Sequence, residues 1–128
     1  MREIGAAAAV TARLSTKVDT MEIAYYSRHM FEIVQSETFE RWLGGLRDVR
    51  AKAKIAVRLR RASLGNLGDV KPIGDGLSEM RIDEGPGYRV YFMRRGAVLI
   101  VLLCGGDKAT QAADIDKAKA LAADWKEM

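Results

Sequence analysis

The chain has one cysteine, one histidine and two prolines among 128 residues, and each scarcity closes a class of chemistry. With Cys104 alone, no intramolecular disulfide and no cysteine metal cluster can form, and a reducing cytosol is the natural compartment. Cys104 also ends an apolar strand, where a thiol reads as buried and inert. His29 lies in the N-terminal stretch, so the rest of the chain holds no histidine triad, dyad or metal site. No phosphate-binding P-loop and no dinucleotide GxGxxG stands between a strand and a helix, which leaves no cofactor expected. No apolar run approaches a membrane span. The run Gly5–Val10 is shorter than the roughly 7–15 apolar residues at the heart of a signal peptide. A conventional hydrolase or redox enzyme is not on offer.

Charge is plentiful in both signs. Lys and Arg number 21 against 17 Asp and Glu, for a net charge of +4, and the distribution matters more than the sum. At this length a single core is expected. Residues 1–29 read as a poorly ordered extension, with Met21 and Met30 as alternative starts, and residues 30–128 as the domain.

The organising stretch is GLSEMRIDEGPGYRVYFMRRGAVLIVLLCGGDK. It reads as three strands, Leu77–Asp83, Tyr88–Arg94 and Ala97–Cys104, joined by turns at Gly85-Pro86-Gly87 and Gly96. In the first two, alternation sets Glu79, Arg81 and Asp83 opposite Met80 and Ile82, and Arg89, Tyr91 and Met93 opposite Tyr88, Val90 and Phe92. The third is apolar throughout, as for a strand covered on both faces. Upstream, Phe31–Gln35 reads as a first strand. Ser36 caps a helix whose apolar positions are Phe39, Trp42, Leu43 and Leu46. A second helix spans about Asp48 to Ser63, with Ala51, Ile55, Leu59 and Ala62 along its apolar stripe. Gly65 to Gly76 reads as a loop. After a turn at Gly105-Gly106-Asp107, Thr110 can cap a last helix with Ile115, Ala118, Leu121, Ala122 and Trp125 on its apolar face. The order β, α, α, β, β, β, α makes an α+β domain: an N-terminal strand and helical hairpin packed on a curved antiparallel sheet, with a C-terminal helix.

Two basic features stand out. Arg81, Arg89 and Lys108 come from segments that the hairpins bring together, beside Glu79 and Tyr91. Such a surface suits a polyanion with exposed bases, and equally suits ordinary cross-strand ion pairs. On the second helix Arg47, Arg50, Lys54, Arg58 and Arg61 occupy one narrow arc. Seven cations against one acid between Arg47 and Arg61 exceed what solubility requires and point to an acidic partner or a nucleic acid backbone.

The run GLSEMRIDEGPGYRVYF, followed by an apolar strand and GGDKATQAADIDKA, resembles the RelE/ParE toxin superfamily, closest to its HigB-like addiction-module killer proteins. The similarity covers about Phe31 to Leu121. It implies a toxin of a type II toxin–antitoxin system that enters the bacterial ribosome and cuts mRNA without a metal, the RNA 2′-hydroxyl attacking the adjacent phosphate. By motif, Arg81 and Arg89 would take phosphate charge, Lys108 the substrate phosphate or leaving oxygen, and Glu79 would act as a base. Gln111 falls where other members carry a tyrosine or histidine. Tyr91, Gln111 and the five cations of the second helix would contact RNA or the ribosome, or the helix would face an acidic antitoxin segment. The implied partners are a helix-turn-helix antitoxin, the ribosome and mRNA. The alternatives are a ParE-like toxin that binds DNA gyrase without cutting RNA, and a non-toxic phage or plasmid binding protein of the same fold.

Overall fold

A computed structural model describes residues 2–3 and 30–125. The expected N-terminal extension, residues 1–29, lies outside them apart from Arg2 and Glu3. Four strands follow the helical hairpin, and the whole is a six-stranded sheet in the order β1-β2-β6-β5-β4-β3. Its members are β1 (Arg2–Glu3), β2 (Glu32–Gln35), β3 (Val70–Gly74), β4 (Leu77–Ile82), β5 (Tyr88–Arg95) and β6 (Leu99–Gly106). The run β3 to β6 is antiparallel, while β2 lies parallel to β6. The helices are α1 (Glu37–Gly45), α2 (Val49–Ser63) and α3 (Gln111–Asp124), the last entered through a single 3-10 turn at Lys108–Thr110.

Capping explains where the helices begin. The Ser36 side chain accepts from the Phe39 backbone N–H at 3.0 Å, and its hydroxyl donates to the Leu103 carbonyl at 2.6 Å. One residue thus starts α1 and ties it to the central strand. Asp48 does the same for α2, accepting from Ala51 N–H at 3.0 Å. Arg60 and Arg61 complement the last turn, and Gly65 leaves the helix at φ +100°, open to glycine at little cost.

Both faces of the sheet are covered. On one, Phe39, Ile55, Leu59 and Ala62 of the helical hairpin pack on Ile33, Met80, Ile82, Val90, Phe92, Ile100 and Leu102. On the other, Ala118 and its neighbours on α3 pack on Leu77, Tyr91, Met93, Val101 and Leu103. Strand β6 is buried from Ile100 to Gly106, as its unbroken apolar run requires. The face that carries Glu79, Arg89 and Tyr91 is therefore not an open charged surface, because α3 lies across it.

Two readings of the sequence need correction. The stretch read as a loop contains β3, an edge strand paired to β4. Pro72 lacks an amide donor, which an edge strand tolerates. Gly105 and Gly106 are not a turn but the end of β6, opposite Val90 and Arg89. A bulge precedes them: Tyr91 pairs with Cys104 but Phe92 with Leu102, so Leu103 is the extra residue. One added residue exchanges the faces of everything after it. Cys104 turns toward α3, Gly105 toward the hairpin, and Gly106 back toward α3.

That exchange explains why glycine stands at both positions. A Cβ on Gly105 would lie 2.3 Å from the Trp42 ring, and one on Gly106 would lie 1.8 Å from Asp114 Oδ2. Each face uses bare backbone as a floor for a large or charged side chain.

Candidate functional site

The end of the sheet where β4 and β5 meet the β6–α3 junction gathers the charged groups. Cross-strand register places Arg81 directly opposite Arg89, and Glu79 opposite Tyr91. Arg89 in turn lies opposite Gly106, beside the turn that carries Lys108. Residues at matched positions on neighbouring strands share a face, so these groups converge without any long loop to hold them.

Glu79 is only 1 % exposed. Its Oε2 lies 3.5 Å from Arg89 Nε, and its Oε1 accepts from Gln111 Nε2 at 3.0 Å. Gln111, the first residue of α3, therefore meets Glu79, and Glu79 meets Arg89. Arg89 also donates from Nη1 to the Gly87 carbonyl at 3.0 Å. A Cβ on Gly87 would be 3.7 Å from Arg89 Nη1 and 3.8 Å from Lys108 Cβ, so this glycine, at φ +84°, separates the two cationic side chains. Lys108 is exposed at the start of the 3-10 turn. That turn is capped by Asp107, which accepts from the backbone N–H groups of Ala109 and Thr110.

Arg81 stands at the more open edge of the cluster. It donates from Nε and Nη2 to Asp69 Oδ1 at 3.3 and 3.0 Å, with 42 % of its side chain exposed. A pair so exposed contributes about 0–1 kcal/mol, so a phosphate can take the place of Asp69 at small cost. Asp69 was not singled out by sequence reasoning. The signal was an acid one residue before β3, and it became visible only once that strand was known to pair with β4.

Tyr91 is fully buried under α3, and its hydroxyl has no hydrogen-bond partner among the described residues. Burial drives the phenol well above its ordinary range, and the negative Glu79 and Asp114 add to the shift. It presents no ring for a base to stack on. Nearby, Cys104 is buried with its thiol pushed up to about 11 by desolvation and by Asp114. A thiol so held is protonated and unreactive near neutrality.

The five cations expected along the second helix divide, and Arg47 precedes the Asp48 cap, outside α2. Arg58 donates to the carbonyls of Arg81, Leu67 and Asp69, and burial lowers its pKa, opposed by Asp69. Lys54 donates to the Asp83 carbonyl at 3.0 Å and pairs with Glu84 at 3.0 Å. Arg50 lies 3.8 Å from the same Glu84. These three fasten α2 to the end of β4. Arg47 and Arg61 are exposed.

No group of three or more His, Cys, Asp or Glu among the described residues is disposed to hold a metal ion. No helix among them is long and apolar enough to cross a membrane. The arrangement can bind an anion between arginines, orient it, and stabilise charge that grows on it.

Residues 41–124 match the family model described as phage derived protein Gp49-like (DUF891). The chain is similar to an uncharacterized protein of Haemophilus influenzae (strain ATCC 51907 / DSM 11121 / KW20 / Rd), with 54% identity over 91 residues. That alignment spans 71% of this chain and 92% of the relative. No solved structure matches the chain.

Proposed function

The chain belongs to the Gp49-like family of phage-derived proteins, and from that premise we propose that it is the toxin of a type II toxin–antitoxin pair that cuts mRNA on the ribosome. The family is consistent with an addiction-module toxin. The observation that carries the finer reading is the convergence of Arg81, Arg89 and Lys108 at one end of the sheet, with Arg89 held by the buried Glu79.

In this reading the RNA 2′-hydroxyl gives its proton to water and its oxygen attacks the adjacent phosphorus as the bond to the 5′-oxygen breaks; the leaving oxygen takes a proton from water, so the products are a cyclic phosphate and a 5′-hydroxyl. The phosphorane gains negative charge on its equatorial oxygens. Arg89 and Arg81 meet that charge, Arg81 after exchanging Asp69 for phosphate. Lys108, exposed beside Gly87, reaches the substrate phosphate or the leaving oxygen. Glu79, with both oxygens engaged, serves to position Arg89 through its link to Gln111. Neither arginine releases a proton readily, so the rate rests on orientation and charge stabilisation. The partners are an antitoxin, the ribosome and its message, and the compartment is the cytoplasm.

The test adds the purified protein to a translation extract and maps mRNA 5′ ends with and without ribosomes. New ends that require ribosomes support the reading. An intact message, together with inhibited gyrase supercoiling, would overturn it in favour of a gyrase-directed toxin of the same fold.

A further inference from the structure

The large hydrophobic side chains exposed among the described residues are Val49, Val57, Leu64 and Val98. Three of the four belong to α2 or its C-cap. At 100° per residue Val49, Ala53, Val57 and Leu64 fall within an arc of about 80°. That arc is distinct from the stripe of Ala51, Ile55, Leu59 and Ala62 that meets the core. Helix α2 thus has two apolar faces, and only one is covered. Where Ala53 and Val57 of the second face meet the end of β4 there is a groove of about 370 Å³, lined by these two and Ile82 with Lys54, Arg58, Arg61 and Asp83 at its rim.

The rim is built, not merely decorated. Arg58 is held by three backbone carbonyls and Lys54 by the Asp83 carbonyl and Glu84. Their charges therefore stand at fixed places beside the apolar floor, and Arg61 lies exposed next to them. The three cations stand against Asp83 and the Glu84 that pairs with Lys54, which leaves the groove net positive.

We propose that this groove docks a helical segment of a protein partner, with an apolar stripe flanked by Asp or Glu. An amphipathic helix uses both features at once, seating residues at i, i+4 and i+7 on the floor and its acids against the rim. RNA would engage the cations and leave Ala53 and Val57 without apolar cover. A second copy would bring a surface with seven cations against one acid between residues 47 and 61 onto another of the same sign. The docking surface lies on the hairpin side of the sheet, away from Arg89 and Glu79, and does not depend on the nuclease reading.

The test is fluorescence anisotropy with the full chain and a labelled synthetic peptide of about five helical turns, Leu at i, i+4 and i+7, Glu on both flanks. The controls are a scrambled peptide of the same composition, a Lys-flanked version and a single-stranded RNA. The Glu-flanked peptide should bind about tenfold more tightly than either peptide control. Val57→Asp and Arg61→Glu should each weaken it by about tenfold while both variants stay folded, with melting temperatures within a few degrees of wild type because Arg61 also complements the last turn of α2. Equal binding of the scrambled peptide, or no binding of any peptide, overturns the proposal. So does RNA that displaces the peptide while Val57→Asp leaves both affinities unaltered. Self-association seen by sedimentation and abolished by Val57→Asp would assign the groove to a second copy and overturn it equally.

Discussion

Replacing Arg89 alone should damage the fold as well as any activity, and the amount can be worked from its surroundings. Glu79 keeps 2 % of its side chain exposed and Arg89 12 %, with 3.5 Å between their nearest charged atoms. Removing one member of a buried pair commonly costs about 3–5 kcal/mol, because the other charge is left uncompensated. Here Gln111 still donates to Glu79 and Arg89 sits near the surface, so about 2–3 kcal/mol is the better figure for Arg89→Ala. Against a total stability of about 5–15 kcal/mol that loss is large. With a urea dependence of about 1–3 kcal/mol per molar, the unfolding midpoint should fall by about 1–3 M. Glu79→Gln removes the stranded charge, so Arg89→Ala in that background should cost less than about 1 kcal/mol further. Equilibrium unfolding followed by the fluorescence of Trp42 and Trp125 measures all four proteins. Losses that add to within about 0.5 kcal/mol would refute the coupling and the reasoning with it.

Four further outcomes follow from the same geometry. Ser36→Ala loses the cap of α1 and leaves the buried Leu103 carbonyl without its hydroxyl donor, so it should cost about 1–3 kcal/mol by urea titration. Gly105→Ala drives a methyl into the Trp42 ring and should cost about 1–3 kcal/mol. In contrast Gly44→Ala, with open space around its added Cβ, should leave the melting temperature unchanged or raise it. The raised thiol of Cys104 makes stability depend on pH. Its folded value of about 11 exceeds the ordinary 9.0, so its contribution is complete below pH 9 and is lost as pH rises toward 11. Urea midpoints should fall across that window, and the fall should be shallower in Cys104→Ala.

The elements that sequence reasoning located are those whose signals are local. Ser36 and Asp48 cap the helices, and the alternation in SEMRI and GYRVYF sets which residues share a face. What was hidden depended on partners distant in sequence. Strand β3 escaped because Pro72 and its flanking glycines carry the chemistry of a turn, and only pairing with β4 makes them a strand. Gly105 and Gly106 were misread for a related reason: glycine marks both turns and close approaches, and Trp42 and Asp114 decide between them. Alternation correctly put Glu79, Arg89 and Tyr91 on one face but could not show that α3 covers it. A hint was present, since an apolar strand covered on both sides needs a second layer and α3 had an apolar face to supply one. Arg81, Arg89 and Lys108 were grouped from the hairpin order alone, whereas Asp69 entered only with the register of β3.

In the proposed function the arginine cluster cleaves RNA on the ribosome. Because Arg89→Ala costs stability as well as charge, the decisive comparison uses the charge-balanced Glu79→Gln/Arg89→Gln protein beside Glu79→Gln and wild type, each confirmed folded by its urea midpoint. Mapping mRNA 5′ ends in a translating extract should give ribosome-dependent cuts with wild type and, more weakly, with Glu79→Gln, and none with the double variant. Undiminished cutting by a folded double variant would contradict the account.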